Sequence, residues 1–79
     1  MYENYRAQIT TIKSGSRGNI VKVAQHLLNR SGRNITADGI FGTGTKNAVI
    51  TFQKSKGLSA DGIVGTNTWN KLDDYCDKN

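Results

Sequence analysis

TADGIFGTGTKNAV, residues 36–49, is answered at residues 59–72 by SADGIVGTNTWNKL. Aligned from Ala37 and Ala60, both copies carry Ala-Asp-Gly-Ile, then Gly-Thr, then Thr, then Asn, at an offset of 23 residues. Ala-Asp-Gly reads as a turn in which Gly39 or Gly62 takes positive φ, and Asp38 or Asp61 accepts backbone N–H groups. Ile40 and Ile63 are then expected to plug into a core. Gly42 or Gly65 permits a sharp entry into a helix, whose first N–H groups Thr43 or Thr66 would cap. Each copy is therefore a helix-entry device. SRGNIV, with Gly18, resembles a degenerate third version.

Three helices follow these entries. The first spans Asn19 to about Arg30, with Ser16 as N-cap. Its apolar positions Ile20, Val23, Ala24, Leu27 and Leu28 have the spacing of a buried helical stripe. Ser31-Gly32 marks its stop, and His26 falls off the stripe. The second is predicted from Thr43 to Lys56, with Thr45, Ala48, Val49 and Phe52 inward, and Lys54 and Lys56 at the negative end of the dipole. Gly57 sits where a left-handed residue closes a helix, and Leu58 can fold back as a Schellman contact. The third, about Thr66 to Tyr75, buries Trp69 and Leu72 with Tyr75 or Cys76, and residues 73–79 are expected to fray. The fold class is all-α: a compact three-helix bundle with glycine-turn entries and an internal repeat. Residues 1–11 are read as an N-terminal extension, 12–75 as the domain and 76–79 as a polar tail.

Composition sets the outer bounds. The chain has 79 residues, 35% of them hydrophobic, and no proline, which suits one small domain with a modest helical core. No run approaches the roughly 20 apolar residues that span a bilayer, and Met1 to Tyr5 lacks the basic start and apolar middle of a secretion signal. The net charge of +5 falls in residues 1–35, while residues 36–79 balance five lysines against five aspartates. Such asymmetry suits an anionic partner, whether nucleic acid, membrane surface or anionic wall polymer; it suits a solvated, solubilising face equally well. Cys76 and His26 are each the sole residue of their type, which excludes an internal disulfide and disfavours a metal site. No cofactor is expected.

Three blocks carry a family resemblance: IKSGSRGNIVKVAQHLLN (12–29), DGIFGTGTKNAVITFQKSKGL (38–58) and DGIVGTNTWNKL (61–72). In order and spacing they resemble the peptidoglycan-binding domain attached to bacterial and phage cell-wall hydrolases, and the match runs from Ile12 to Leu72. The resemblance implies a compact three-helix domain that binds peptidoglycan, performs no chemistry, and holds an adjacent amidase, muramidase, peptidase or transpeptidase on the wall. The implied location is the bacterial cell wall or the extracellular space, a phage lysin included. Ala24 stands where the family usually has leucine, Thr43 and Thr66 replace a frequent proline, and the connection Asn29 to Ala37 is shorter than in many relatives.

Other chemistries find little support in the residues. Glycan hydrolysis needs two carboxylates flanking the scissile bond, and Asp38 and Asp61 already have turn roles. A single His without a matching acid motif leaves no nucleophile triad. GIFGTGTK (39–46) superficially resembles a phosphate loop, but Thr45 intervenes before Lys46 and no long strand precedes it. Asp38-Gly39 lacks the spaced acidic ligands of a calcium loop. Asn29-Arg30-Ser31 and Asn34-Ile35-Thr36 fit a glycosylation pattern that matters only in a eukaryotic secretory setting. A DNA-binding helix would present Lys46, Asn47, Gln53 and Lys54, yet the basic excess lies elsewhere. The remaining alternative is a protein-interaction or pro-segment-like module of the same helical design, although Cys76 in Asp-Tyr-Cys-Asp does not match the metal-masking motif of such prodomains.

A site for peptidoglycan should join an apolar or aromatic face to amide and hydroxyl groups. Arg17, Phe41, Asn47, Gln53, Asn67 and Trp69 lie near the helix entries and are the candidates. Core packing competes for Trp69, and Gln25 and Gln53 could instead bond a neighbouring loop. Peptidoglycan and a fused or adjacent hydrolase domain are the expected partners, with the module acting as a monomer and without nucleic acid or membrane.

Overall fold

A glycine starts each helix. Gly18, Gly42 and Gly65 are the N-cap residues of α1 (Asn19–Arg30), α2 (Thr43–Ser55) and α3 (Thr66–Leu72), and a single 3-10 turn, Asp73–Tyr75, continues α3. The computed structural model describes residues 9–76; the expected N-terminal extension up to residue 8 and the tail from residue 77 lie outside the described residues. No side chain caps any of the three helices. The expected caps are thus corrected: Thr43 and Thr66 are first helical residues, and the Ser16 hydroxyl instead accepts the Lys13 N–H at 3.0 Å.

The stripe of α1 is turned from its expected phase. Val21, Ala24, Gln25, Leu27 and Leu28 are buried, whereas Ile20 and Val23 are only partly covered. The cause is Gln25, which faces inward to bond the loop before α2 and brings Val21 and Leu28 with it along the i, i+3, i+4, i+7 row. Helix ends match expectation more closely. At the end of α2 the Leu58 N–H donates to the Gln53 carbonyl at 2.9 Å and Gly57 N–H to Lys54 at 3.3 Å, with Gly57 at φ 72°. This is the paired-bond Schellman closure. α1 ends the same way, Arg33 N–H to Leu28 O at 3.0 Å and Gly32 N–H to Asn29 O at 3.1 Å.

The core draws on every element. Val21, Leu27 and Leu28 meet Val49 and Phe52 of α2 and Trp69 and Leu72 of α3, with Ile12, Phe41 and Val64 entering from the loops. Two isolated antiparallel bridges tie those loops together, Ile12 with Val64 and Arg17 with Ile40. Past α3 the chain stays organised: Tyr75 packs edge-on against Phe52 with ring centroids 6.0 Å apart, and Lys56 Nζ lies 4.9 Å from the Tyr75 ring. Fraying from residue 73 is therefore corrected to an ordered turn reaching Cys76.

The largest correction concerns the isoleucines of the repeated stretch. Ile40 and Ile63 are exposed, at 44% and 37%, while their successors Phe41 and Val64 are buried. Asp38 Oδ1 accepts the Ile40 N–H at 3.0 Å and Asp61 Oδ1 the Ile63 N–H at 2.9 Å. These turns direct the isoleucine outward and the next residue into the core.

Gly39 and Gly62 do hold positive φ, 79° and 74°. A Cβ on Gly39 would lie 3.2 Å from the Gly18 carbonyl oxygen, whereas one on Gly62 would meet the flexible Lys46 chain at 3.0 Å and Ile50 Cγ1 at 3.4 Å. Gly39→Val should therefore cost well over ~1 kcal/mol and more than Gly62→Val, since backbone cannot move aside as a lysine can. Paired urea denaturation curves check this, and wild-type midpoints for both would disprove the turn geometry.

Candidate functional site

Two buried glutamines organise the molecule's loops. The two N–H groups of Gln25 Nε2 are shared among three acceptors, Asp38 Oδ1 at 3.2 Å, the Ile40 carbonyl at 2.9 Å and Thr45 Oγ1 at 3.0 Å, while its Oε1 receives the Gly39 N–H at 2.8 Å. The two N–H groups of Gln53 Nε2 are likewise shared among Asp61 Oδ1 at 3.0 Å, the Ile63 carbonyl at 2.9 Å and Thr68 Oγ1 at 3.1 Å, and its Oε1 receives the Gly62 N–H at 3.0 Å. In each case a helix clamps the loop that follows it and the first turn of the next helix. Every polar atom of the two amides has a partner, which is what makes their burial tolerable.

Over each clamp lies a shallow groove. The first, of about 360 Å³, is lined by Ile35, Thr36, Asp38, Ile40, Gly42 and Thr45, with Asn34 and Gly44. The second, of about 240 Å³, is lined by Leu58, Ser59, Asp61, Ile63, Gly65 and Thr68, with Gln53, Thr66 and Asn67. Shifted by 23 residues, the first six lining positions of one groove are those of the other. Each pairs an exposed isoleucine with a rim carboxylate and a threonine hydroxyl.

The rim carboxylates are held ionised. The Ile40 N–H, then the Gln25 amide, lowers the Asp38 pKa from its ordinary 3.8; the Ile63 N–H and Gln53 do the same for Asp61. Because the folded values lie below the unfolded ones, the associated stability is present at neutral pH. It is lost as pH falls below ~4 through the lowered folded values. The thermal midpoint should thus drop on acidification, and more shallowly in the Asp38→Asn/Asp61→Asn double variant; parallel slopes in calorimetry from pH 6 to pH 2 would contradict this.

The structure separates the six sequence candidates. Gln53 and Asn67 come together in the second groove, Gln53 at its buried floor and Asn67 exposed. Arg17 is exposed, with its backbone bridged to Ile40 at the edge of the first groove. Asn47 is exposed on α2, where its carbonyl accepts the Thr51 hydroxyl at 3.0 Å. Phe41 and Trp69 are corrected to core residues, each 1% exposed, with the Trp69 indole N–H donating to the Thr10 carbonyl at 3.0 Å. Neither offers a ring face for a sugar to stack upon. What the sequence reading missed is the pair Ile40 and Ile63, whose repetition was visible but whose outward direction was not. Among the described residues no group of three His, Cys, Asp or Glu side chains could hold a metal ion, and no helix is long and apolar enough to cross a membrane.

Comparison with known proteins bears on this geometry. No curated protein sequence matches significantly. A peptidoglycan-binding protein from Clostridioides difficile, crystallised with glutamine hydroxamate, is 51% identical over 80% of this chain and 40% of its own, with a TM-score of 0.78. The endolysin of Burkholderia phage AP3 is 41% identical over 80% of this chain and 24% of its own, TM-score 0.79. A fused Zn-dependent amidase/peptidase/peptidoglycan-binding domain-containing protein from Clostridium acetobutylicum is 44% identical over 80% of this chain and 28% of its own, TM-score 0.78. The chain thus spans less than half the length of each of these three relatives. The family model described as "Putative peptidoglycan binding domain" matches residues 17–72, which hold both clamps and the lining of both grooves. This chain belongs to the peptidoglycan binding domain family.

Proposed function

We propose that this domain is a non-catalytic peptidoglycan-binding module that targets or anchors an associated cell-wall hydrolase, of amidase or endolysin type, to the bacterial wall. The observation that carries the reading is the family match across residues 17–72 together with the paired grooves that those residues build. The module works as a monomer at the wall or outside the cell and takes neither nucleic acid nor membrane as partner. Asn67, over the Gln53 floor, and Ile63 supply the polar and apolar halves of one contact surface. Ile40, with Arg17 beside it, supplies those of the other.

The test is co-sedimentation with teichoic-acid-free peptidoglycan. The isolated domain should pellet with it, release no soluble muropeptides, and lose only a modest part of its binding between about 0.1 M and 1 M sodium chloride, over which the Debye length falls from ~10 Å to ~3 Å. Close hydrogen bonds and buried apolar surface escape that screening. Replacing exposed Lys13 and Lys22 by glutamine should weaken binding at the lower salt only. Complete release at high salt would reduce the chain to a non-specific cation, and recovery of folded protein in the supernatant at low salt would end the proposal.

A further inference from the structure

We infer that the domain is bivalent within its 79 residues: its two grooves each accept one methyl-bearing secondary amide, so that a single peptidoglycan strand is held at two points. The inference rests on the peptidoglycan reading above and adds to it the number of contacts and the chemical group that enters each.

Four observations lead there. Ile40 and Ile63 are the large hydrophobic side chains left exposed among the described residues, and each lies in one of the two grooves. In both the preceding aspartate is exposed and uses Oδ1 for the glutamine amide and the isoleucine N–H, which leaves its second oxygen to accept from a ligand. A methyl group fits beside the isoleucine, and an amide N–H fits the ionised carboxylate, which offers acceptors and no donor. Lastly, volumes of about 360 and 240 Å³ fall on either side of the lower end for small-molecule pockets, ~300 Å³. Each groove therefore takes one pendant group, with the polymer lying across it.

Peptidoglycan displays this group in two places, the acetamido substituents of its sugars and the alanyl amides of its stem peptides. Because the longest extent of the molecule is 28 Å, both grooves lie within reach of one strand. A second contact made from an already bound strand is intramolecular and can raise binding by roughly 10²–10⁴ over one groove alone. Among the paired lining positions the grooves differ at Ile35 against Leu58, Thr36 against Ser59 and Gly44 against Asn67. The last puts a side-chain amide on the helix side of the second, whereas the first carries its amide, Asn34, on the loop side, which makes the two affinities unequal.

The experiment follows the amide resonances of Gly42 and Gly65, one in each groove, while a soluble disaccharide–stem-peptide monomer is added to millimolar concentration. Both glycines should shift. Ile63→Ser should silence Gly65 and spare Gly42, Ile40→Ser should do the reverse, and each single variant should bind whole sacculi at least ~10²-fold more weakly. Unchanged melting of these variants, expected for exposed positions, assigns the effects to contact. Gly44→Asn, where an added Cβ meets nothing within 4 Å, should strengthen the first groove. Adding a peptide-free N-acetylated glycan oligomer and the free stem peptide separately identifies the source of the amide; silence of both glycines with both probes overturns the chemistry proposed. A shift at one glycine alone, or one isoleucine variant silencing both, overturns bivalency while sacculus binding keeps the wall-binding reading. A folded protein that neither pellets with sacculi nor shifts overturns both.

Discussion

Gln53→Leu is expected to lower the stability of the domain by about 3 kcal/mol, although leucine nearly matches glutamine in size. The substitution strips the buried Gly62 N–H of its acceptor, and the Ile63 carbonyl and Thr68 hydroxyl of their donor. A buried orphan costs ~1–3 kcal/mol, but the Thr68 hydroxyl can turn and the Ile63 carbonyl borders a groove that water enters. The Gly62 N–H, with glycine itself buried, has no such remedy. For a domain of this size the melting temperature should fall by roughly 12–24 °C. Gln25→Leu should cost a similar amount because its four bonds are the same in kind. Urea and thermal unfolding measure both, and a change under ~0.5 kcal/mol would mean that the amides are not the clamps described.

Trp69→Ala should be more damaging still. Trp69 is the largest fully buried side chain and also secures Thr10 through its indole N–H. Large aromatic truncations cost ~3–5 kcal/mol in cores, and a domain of this class has only ~5–15 kcal/mol in total. We expect the variant to be partly or wholly unfolded at 37 °C by circular dichroism. Phe41→Ala belongs with it, whereas Phe41→Leu should fold and bind peptidoglycan as the wild type does, because Phe41 is 1% exposed. Loss of binding by a folded Phe41→Leu variant would return that residue to the ligand surface.

The sequence made some of this legible because one residue type served one purpose. Gly57-Leu58 could hardly be anything but a helix closure, and the predicted Schellman bonds are present. Asp38 and Asp61 accept the N–H groups of their own turns as the Ala-Asp-Gly pattern implied. The direction of Ile40 against Phe41 was not legible, because both are apolar and either could fill a core. Only the clamp from Gln25, reaching from another helix, decides between them. Thr45, read from its spacing as inward-facing, does turn inward to the glutamine, whereas the cap read for Thr43 is absent because the entry is built by backbone alone. The grooves were beyond reach because each joins residues before a turn to residues in the helix after it.

The Ile12–Val64 bridge has a mechanical consequence. Its two bonds, Ile12 N–H to Val64 O at 3.2 Å and Val64 N–H to Ile12 O at 2.9 Å, fasten the first described segment to the last loop. Two residues upstream, Thr10 is tethered to the indole of Trp69. Traction entering along the chain from the N-terminal side is borne first by these three hydrogen bonds. Helices α1 and α2 lie further along that load path, behind the seam. A wall-held domain tugged from that direction would yield at this seam first and pay out a short length of chain. The first groove lies behind the seam, whereas the second is next to it, because Val64 sits between Ile63 and Gly65, so force from that side would loosen the second groove before the first.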